Sequence, residues 1–195
     1  MLFGVVLAGG ASRRMGQDKA LMQFNGRTLI THASQLLASA GCQHVLVSRN
    51  QDGYINDKIK DVGPLGGVHS AVCEVFNDGA FTQLKNASSS ETKESALLVL
   101  PVDMPQMTPA FLKQLVALGR KNRRACYVEN RFLPFYLPVD GNTIASLNNY
   151  LVTQNKRKVV GFLGQVNAVE ISLSPDEDDA PWLNVNTPGD WPLSV

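Results

Sequence analysis

An α/β fold, with a mostly parallel central sheet flanked by helices in one domain, is what this sequence predicts, and three observations carry the prediction. Short aliphatic or β-branched runs recur at residues 2–8, 45–47 and 96–100, each of a length that suits a strand buried on both faces. A stretch of helical period separates the first two, so strand, helix and strand follow in order, the unit that closes by a right-handed crossover onto a parallel sheet. The runs empty into glycines, prolines and charges at their carboxyl ends, the edge where open α/β sheets hold ligands.

The first strand, residues 2–8, leads into Gly9, Gly10, Ser12, Arg13, Arg14, Gly16, Asp18 and Lys19. Backbone freedom followed by positive charge is a way to cradle polyphosphate. Glycine N–H groups approach the oxygens without a Cβ in the way, while Arg14 and Lys19 offset their charge. The spacing matches neither G-x-x-x-x-G-K-[ST] nor G-x-G-x-x-G, so neither a P-loop ATPase nor a dinucleotide-binding domain is supported. Residues 23–26 are a short bridge to a helix capped by Thr28 and running to about Ala40, with Leu29, Ile30, Ala33, Leu36 and Leu37 at helical spacing and Gly41 as its end. After the strand at 45–47, Ser48-Arg49-Asn50 is either a ligand contact at a strand end or a polar turn. Residues 51–62 are irregular, with Ile55 and Ile59 as anchors. Asp61-Val-Gly-Pro-Leu-Gly-Gly67 then fixes a turn before an amphipathic helix over 68–76.

Residues 77–95, rich in Ser, Asn, Gly and charge, are a mobile connector rather than a domain boundary, because strands resume at once. The strand at 96–100 ends in Pro101-Val-Asp103-Met-Pro105. A carboxylate at that position either takes a metal that serves a nucleoside triphosphate or braces the next loop. Thr108 and Pro109 open a helix through Leu118 that Gly119 stops, and the basic cluster at 120–124 suits a helix carboxyl end. Residues 125–128 and 131–139 read as a hairpin about Glu129-Asn130, with Phe132, Phe135 and Tyr136 left for packing. A helix covers about 143–154. Asn155-Lys-Arg-Lys158 either receives an anionic substrate or is solvated surface, and an apolar turn at 159–163 and a strand near 166–171 follow. Beyond an acidic loop at 174–179, Asn184 and Asn186 lie two apart on an extended segment. They present paired amides to one ligand, or they cap a last helix opened by Thr187-Pro188.

With 195 residues and 44% hydrophobic content the chain supports one sizeable core, so residues 1–195 are expected to form a single domain. A net charge of +1 argues against a general nucleic-acid binder. Cys42, Cys73 and Cys126 are odd in number and lack a C-x-x-C pair, which fits buried thiols in a reducing cytoplasm. The N-terminal apolar run is too short to span a membrane and lacks a basic leader, so a cytoplasmic protein is expected. His32, His44 and His69 lie in element patterns and read as structural.

Four blocks remain: L-A-G-G-x-S-R-R-M-G-x-D-K-A-L over 7–21, G-P-L-G-G over 63–67, P-V-D-M-P over 101–105 and N-V-N-T-P over 184–188. In this order, across nearly the whole chain, they resemble the molybdenum cofactor guanylyltransferase family. The resemblance implies a Rossmann-like nucleotidyltransferase fold. It also implies an enzyme that uses Mg²⁺ and GTP to guanylylate the terminal phosphate of the molybdopterin cofactor, releasing pyrophosphate and forming the guanine dinucleotide.

Carried over by motif, Leu7, Ala8, Gly9 and Gly10 contact the nucleotide, and Arg14 and Lys19 face its triphosphate. Ser48, which stands where relatives often carry Asn, lies near the base or ribose, Asp61 faces the guanosine, and Asp103 binds both GTP and Mg²⁺. Asn184 and Asn186 lie on the acceptor side. The implied partners are GTP and the molybdopterin cofactor, with room for other molybdenum cofactor biosynthesis proteins. Neither nucleic acid nor membrane is among them.

Such chemistry is an in-line attack of an acceptor phosphate on the α-phosphorus, so positioning and charge neutralisation replace a protein nucleophile. The alternatives are a cytidylyltransferase of the same cofactor and a sugar-phosphate nucleotidyltransferase. Cytidylyl relatives tend to show L-A-A-G, and the smaller Gly9 leaves room for a purine. A regulatory nucleotide-binding module without catalysis would be expected to lack Lys19 or Asp103, and both are present.

Overall fold

The computed structural model describes residues 1–9, 18–77, 94–172 and 180–191. Strand β1 (Leu2–Leu7) is divided by parity: Leu2 and Val6 enter one core, Phe3 and Val5 the other. Among the described residues, six strands form the main sheet. After β1, a two-stranded hairpin of β2 (Gln23–Phe24) and β3 (Arg27–Thr28) stands apart from it. The others are β4 (His44–Ser48), β5 (Ser95–Pro101), β6 (Cys126–Val128), β7 (Arg131–Val139) and β8 (Val169–Ile171), in the order β4-β1-β5-β7-β6-β8. β1 pairs in parallel with β4 and β5, and β6 with β8. β7 alone runs against its neighbours.

Helices α1 (Leu29–Ser39) and α3 (Pro109–Asn122) cover the face that carries Val6, Leu98 and Leu100. Helices α2 (Pro64–Asn77), α4 (Gly141–Asn148) and α5 (Val159–Gln165) cover the face of Val5, Leu97 and Val99. From β1 the chain crosses over α1 to β4 on one side, then returns over α2 to β5 on the other. Consecutive crossovers leaving in opposite directions open a crevice between the carboxyl ends of β1 and β5.

Local chemistry explains most boundaries. Thr28 and Thr108 cap α1 and α3, their hydroxyls accepting from Thr31 N at 3.2 Å and Phe111 N at 3.3 Å. Asp140 and Thr143 form a reciprocal capping box at the start of α4. His32 Nε2 donates to Pro105 O at 2.7 Å, His44 stacks on Phe3, and His69 Nε2 meets Asn148 Oδ1 at 2.9 Å, tying α2 to α4.

Four expectations about elements are corrected. The bridge at 23–26 is a hairpin, because Asn25-Gly26 takes positive φ at both positions, a turn that matches strand twist. Helix α2 begins at Pro64 rather than 68, with Gly66 and Gly67 inside its first turn. A Cβ on Gly67 would lie 2.3 Å from Ser48 Oγ and 2.9 Å from Leu7 Cδ2, so this glycine serves close approach, not a break. Gly119 likewise does not stop α3. It lies against the Tyr136 ring, and the helix continues to Asn122 before Arg123 turns left-handed at φ 51°. The apolar stretch at 159–163 is not a turn but α5, and α4 continues as a π-helix over Asn149–Thr153. The connector at 77–95 and the acidic loop at 174–179 fall almost wholly outside the described residues.

Candidate active site

Three of the four sequence blocks meet at the carboxyl ends of β1 and β5. A short 3₁₀ turn, Lys19–Leu21, is capped by Asp18, whose Oδ1 accepts from Ala20 N at 3.1 Å, and it carries Lys19 into the crevice. Lys19 Nζ donates to Asp103 Oδ2 at 3.3 Å and to Asn186 Oδ1 at 3.0 Å. The ammonium thereby joins residues 84 and 167 positions away along the chain. The backbone repeats the junction: Val102 N donates to Leu7 O at 3.0 Å and Val185 N to Asp103 O at 2.8 Å. Asp190 closes the final turn, its carboxylate accepting from Asn186 N at 2.9 Å and Thr187 N at 2.7 Å. These bonds hold the Asp190 carboxyl below the usual aspartate range. Thr187 stands at the N-cap position of this turn (Pro188–Asp190), and Asp190, three residues on, braces it by accepting from the Thr187 N–H.

On the β4 side lies a smaller hollow of about 360 Å³, walled by Ala8 and Gly9 at the end of β1, Arg49 and Asn50 at the end of β4, and Asp57 and Asp61. Asn50 locks the hollow's outer rim, with Nδ2 donating to Asp57 Oδ2 at 3.0 Å and Oδ1 accepting from Asp57 N at 2.6 Å. Asp61 is exposed and left-handed at φ 58°, which turns the chain toward Gly63. Ser48 is 4% exposed, with its hydroxyl against Gly67 and its carbonyl accepting from Ala8 N at 2.9 Å. Arg49 and Asn50, rather than the Ser48 hydroxyl, line the hollow.

Toward β7 the crevice widens into a cleft of about 780 Å³ that includes Leu7, Ala8, Gly9, Lys19, Asp103 and Asn184. Its far wall brings Arg131, Arg157 and Lys158 to the same space, above an apolar floor that includes Phe132 and Trp182. Arg131 lies over the Trp182 ring at 4.9 Å, and Trp182 in turn packs edge-on against Phe111. Of the expected site residues, Gly10 and Arg14 lie outside the described residues.

Two residues have roles that sequence reading did not single out, Arg49 having been read only within the triplet Ser48-Arg49-Asn50. Arg49 is 5% exposed, pairs with Asp18 and stacks over Tyr54 at 5.5 Å, bracing the turn that holds Lys19. Its partner is 31 positions away, and a polar triplet after a strand was the only local signal. Arg131 was visible only as the first residue of a strand.

The arrangement suits charge handling. Burial pushes the Cys42 and Cys126 thiols up to about 12 and raises Cys73 as well, so none is a thiolate near neutral pH. Among the described residues that line the larger cleft, the one carboxylate is Asp103, partly exposed beside Lys19.

A family profile described as MobA-like NTP transferase domain matches residues 4–167. The chain is 36% identical over 191 residues to a molybdenum cofactor guanylyltransferase of Xanthomonas euvesicatoria pv. vesicatoria, covering 96% of this chain and 91% of that protein. A probable molybdenum cofactor guanylyltransferase of Synechococcus elongatus is 31% identical over 209 residues, with 96% and 94% covered. In three dimensions the fold matches molybdopterin-guanine dinucleotide biosynthesis protein A from Archaeoglobus fulgidus, with a TM-score of 0.71, 22% identity, and 96% and 94% of the two chains covered. Both the profile and the near full-length relatives reach the same grouping: the chain belongs to the MobA-like NTP transferase family.

Proposed function

We propose that this protein is a molybdenum cofactor guanylyltransferase, moving GMP from GTP to the terminal phosphate of the molybdopterin cofactor with release of pyrophosphate. The observation that carries the reading is the Lys19 junction, where one ammonium meets Asp103 at 3.3 Å and Asn186 at 3.0 Å at the mouth of a large cleft. The relatives' names supply the nucleotide and acceptor.

In this reading the guanine and ribose occupy the hollow bounded by Gly9, Asn50 and Asp61, with Leu7, Ala8 and Gly10 along the nucleotide and Ser48 supporting the strand end beneath it. Asp61 accepts from the guanine N–H groups, and Arg14 and Lys19 take the triphosphate. The acceptor phosphate attacks the α-phosphorus in line: its oxygen forms the new P–O bond as the bond to the leaving pyrophosphate breaks. That phosphate is ionised at neutral pH, so the protein orients it and neutralises charge instead of removing a proton.

Mg²⁺ fits the donor set. No cluster of three or more His, Cys, Asp or Glu side chains able to hold a metal occurs among the described residues. An ion that keeps several waters and arrives on phosphates needs only one or two carboxylates, and Asp103 at the crevice mouth is one. When bound, the ion would offset phosphate charge beside Asp103. Asn184 and Asn186 serve the acceptor side, with Asn186 also holding Lys19 between the two halves. The working unit is residues 1–195 as one domain in the cytoplasm. No helix among the described residues is long and apolar enough to cross a membrane.

The paired Lys19 and Asp103 also favour catalysis over a purely regulatory module. The test is pyrophosphate release with Mg²⁺, molybdopterin and each nucleoside triphosphate. GTP is expected to outpace CTP and ATP, and Asp103→Ala to lower kcat by roughly 10²–10³-fold. Preferred turnover of CTP, or an Asp103→Ala enzyme as fast as wild type, overturns the reading.

A further inference from the structure

Arg49 and Asp18 both line the smaller hollow, yet the bonds they make lead out of it, toward Lys19. Lys19 stands in a single 3₁₀ turn, closed by Leu21 N donating to Asp18 O at 3.1 Å and Met22 N to Lys19 O at 3.0 Å. A turn that short holds its register weakly by itself. Its neighbours in sequence supply the anchors. Ala20 is sunk in the core that α1 covers. Asp18 uses both carboxylate oxygens: Oδ1 accepts from Ala20 N at 3.1 Å, and Oδ2 accepts from Arg49 Nη2.

Arg49 is itself firmly placed. Its backbone N–H donates to Ile55 O at 3.0 Å and Ile55 N donates to Val47 O at 2.9 Å, which closes the chain after β4 into a loop. The guanidinium lies over the Tyr54 ring at 5.5 Å, within that loop. Its side chain is 6% exposed, against 40% for Asp18. A cation taken that far out of water gains little net stability from its partner, and a well-packed apolar side chain would serve the fold about as well. What a planar, ring-stacked guanidinium adds is direction. The pair ties the end of β4 to a turn 31 positions earlier in the chain.

We propose that Arg49 is a positioning residue for the transfer step: acting through Asp18, it sets where the Lys19 ammonium meets the triphosphate. The inference rests on the reading of Lys19 as a triphosphate ligand. A lysine is a point charge on a flexible four-carbon stem, so its ammonium is placed only as well as the backbone that carries it. A misplacement of about 1 Å costs on the order of 10²-fold in rate. Arg49 touches no phosphate in this role, because its guanidinium is committed to Asp18 and Tyr54.

The test compares Arg49→Met, which keeps the stem without the charge, in wild type and in Lys19→Ala. Titration calorimetry with Mg²⁺ and α,β-methylene-GTP should show Kd raised roughly 10-fold by Arg49→Met in the wild-type background. In Lys19→Ala the same change should move Kd by no more than about twofold, since two substitutions that act through one ammonium do not add. In pyrophosphate release with GTP and molybdopterin, Arg49→Met should lower kcat roughly 10-fold and leave the KM for molybdopterin within about twofold. Arg49→Lys, which retains a cation for Asp18, should lie closer to wild type. The Arg49→Met/Asp18→Asn variant leaves neither charge unpaired, keeps an Oδ1 cap for Ala20, and should repeat the result even where Arg49→Met alone does not melt cooperatively.

Equal losses in both backgrounds overturn the proposal, by making Arg49 a direct ligand of the nucleotide or a support of the fold at large. An Arg49→Met enzyme that binds the analogue and turns over GTP like wild type overturns it too. Lys19→Ala that binds the analogue as tightly as wild type sinks the reading of Lys19, and the inference with it.

Discussion

A single side chain shows how little of this site is local. Lys19 follows a glycine-rich stretch, and sequence alone marks it as a phosphate group's partner, but its bonds to Asp103 and Asn186 come from distant segments. Gly9 is different, because its backbone carries the argument. A Cβ there would sit 3.8 Å from Ser48 O and 3.9 Å from Arg49 Cα, ordinary contact distances, so Gly9→Ala should fold with wild-type stability. The methyl group would nonetheless stand on the shared rim of hollow and cleft. We expect GTP turnover in this variant to fall roughly 10-fold, the scale of one methyl group's steric mismatch in a pocket, with CTP less affected. Parallel kcat/KM values for GTP and CTP would check it.

At the scale of elements, what the sequence reveals depends on the range of the force that decides. Caps were legible: Thr28 and Thr108 each accept from a backbone N–H three residues on, and both helices start where those threonines say. Glycines were misread in α2 and α3, since a glycine that breaks a helix and one that admits a neighbour look alike until the neighbour is known. Gly119 is the sharper case. A Cβ there would lie 2.1 Å from Tyr136 Cδ1, a buried ring with no open side to retreat to. Gly119→Ala should therefore cost about 1–3 kcal/mol by overpacking, despite alanine's better helix propensity, and urea denaturation should show a lower midpoint with unchanged slope.

The α2–α4 contact adds a pH dependence. Burial lowers the His69 pKa below 6.5, with Lys58 adding to the shift and the Asn148 bond opposing it. Below pH 6.5 the unfolded chain binds the proton first. The contribution is therefore complete above 6.5 and is lost as pH falls through the lower folded value. Melting curves between pH 7.5 and 5 should show a decline that His69→Gln flattens.

For the whole molecule, topology does what no motif could announce. The strand-helix-strand order predicted a parallel sheet, and the opposed crossovers then determine where the crevice opens. The hairpin of β6 and β7 was legible from Glu129-Asn130, but nothing in its sequence said that β7 would lie beside β5 and bring Arg131 to the mouth. Two halves of the chain thus build opposite walls, and a ligand bridging them should tighten the entire fold. A nucleotide that binds only the folded state at 100 times its Kd adds about 2.7 kcal/mol. Thermal melts with Mg²⁺ should show a larger upward shift with GTP than with CTP or ATP, and a smaller GTP shift in Lys19→Ala.

The lone reversed strand, β7, has a further consequence. Had it run parallel to β5, Arg131 and the turn before it would lie at the opposite end of the sheet from Asp103. Running backwards, it places the two-residue turn Glu129-Asn130 at the rim, tethered by Glu129 N to Ile171 O at 2.9 Å. A hairpin turn accepts extra residues without disturbing the strands that carry it. Lengthening or shortening that tip could resize the entrance while Lys19, Asp103 and the β1 loop stay where they are. One strand's direction thus gives the family a place to vary what enters the cleft independently of the machinery on its other side.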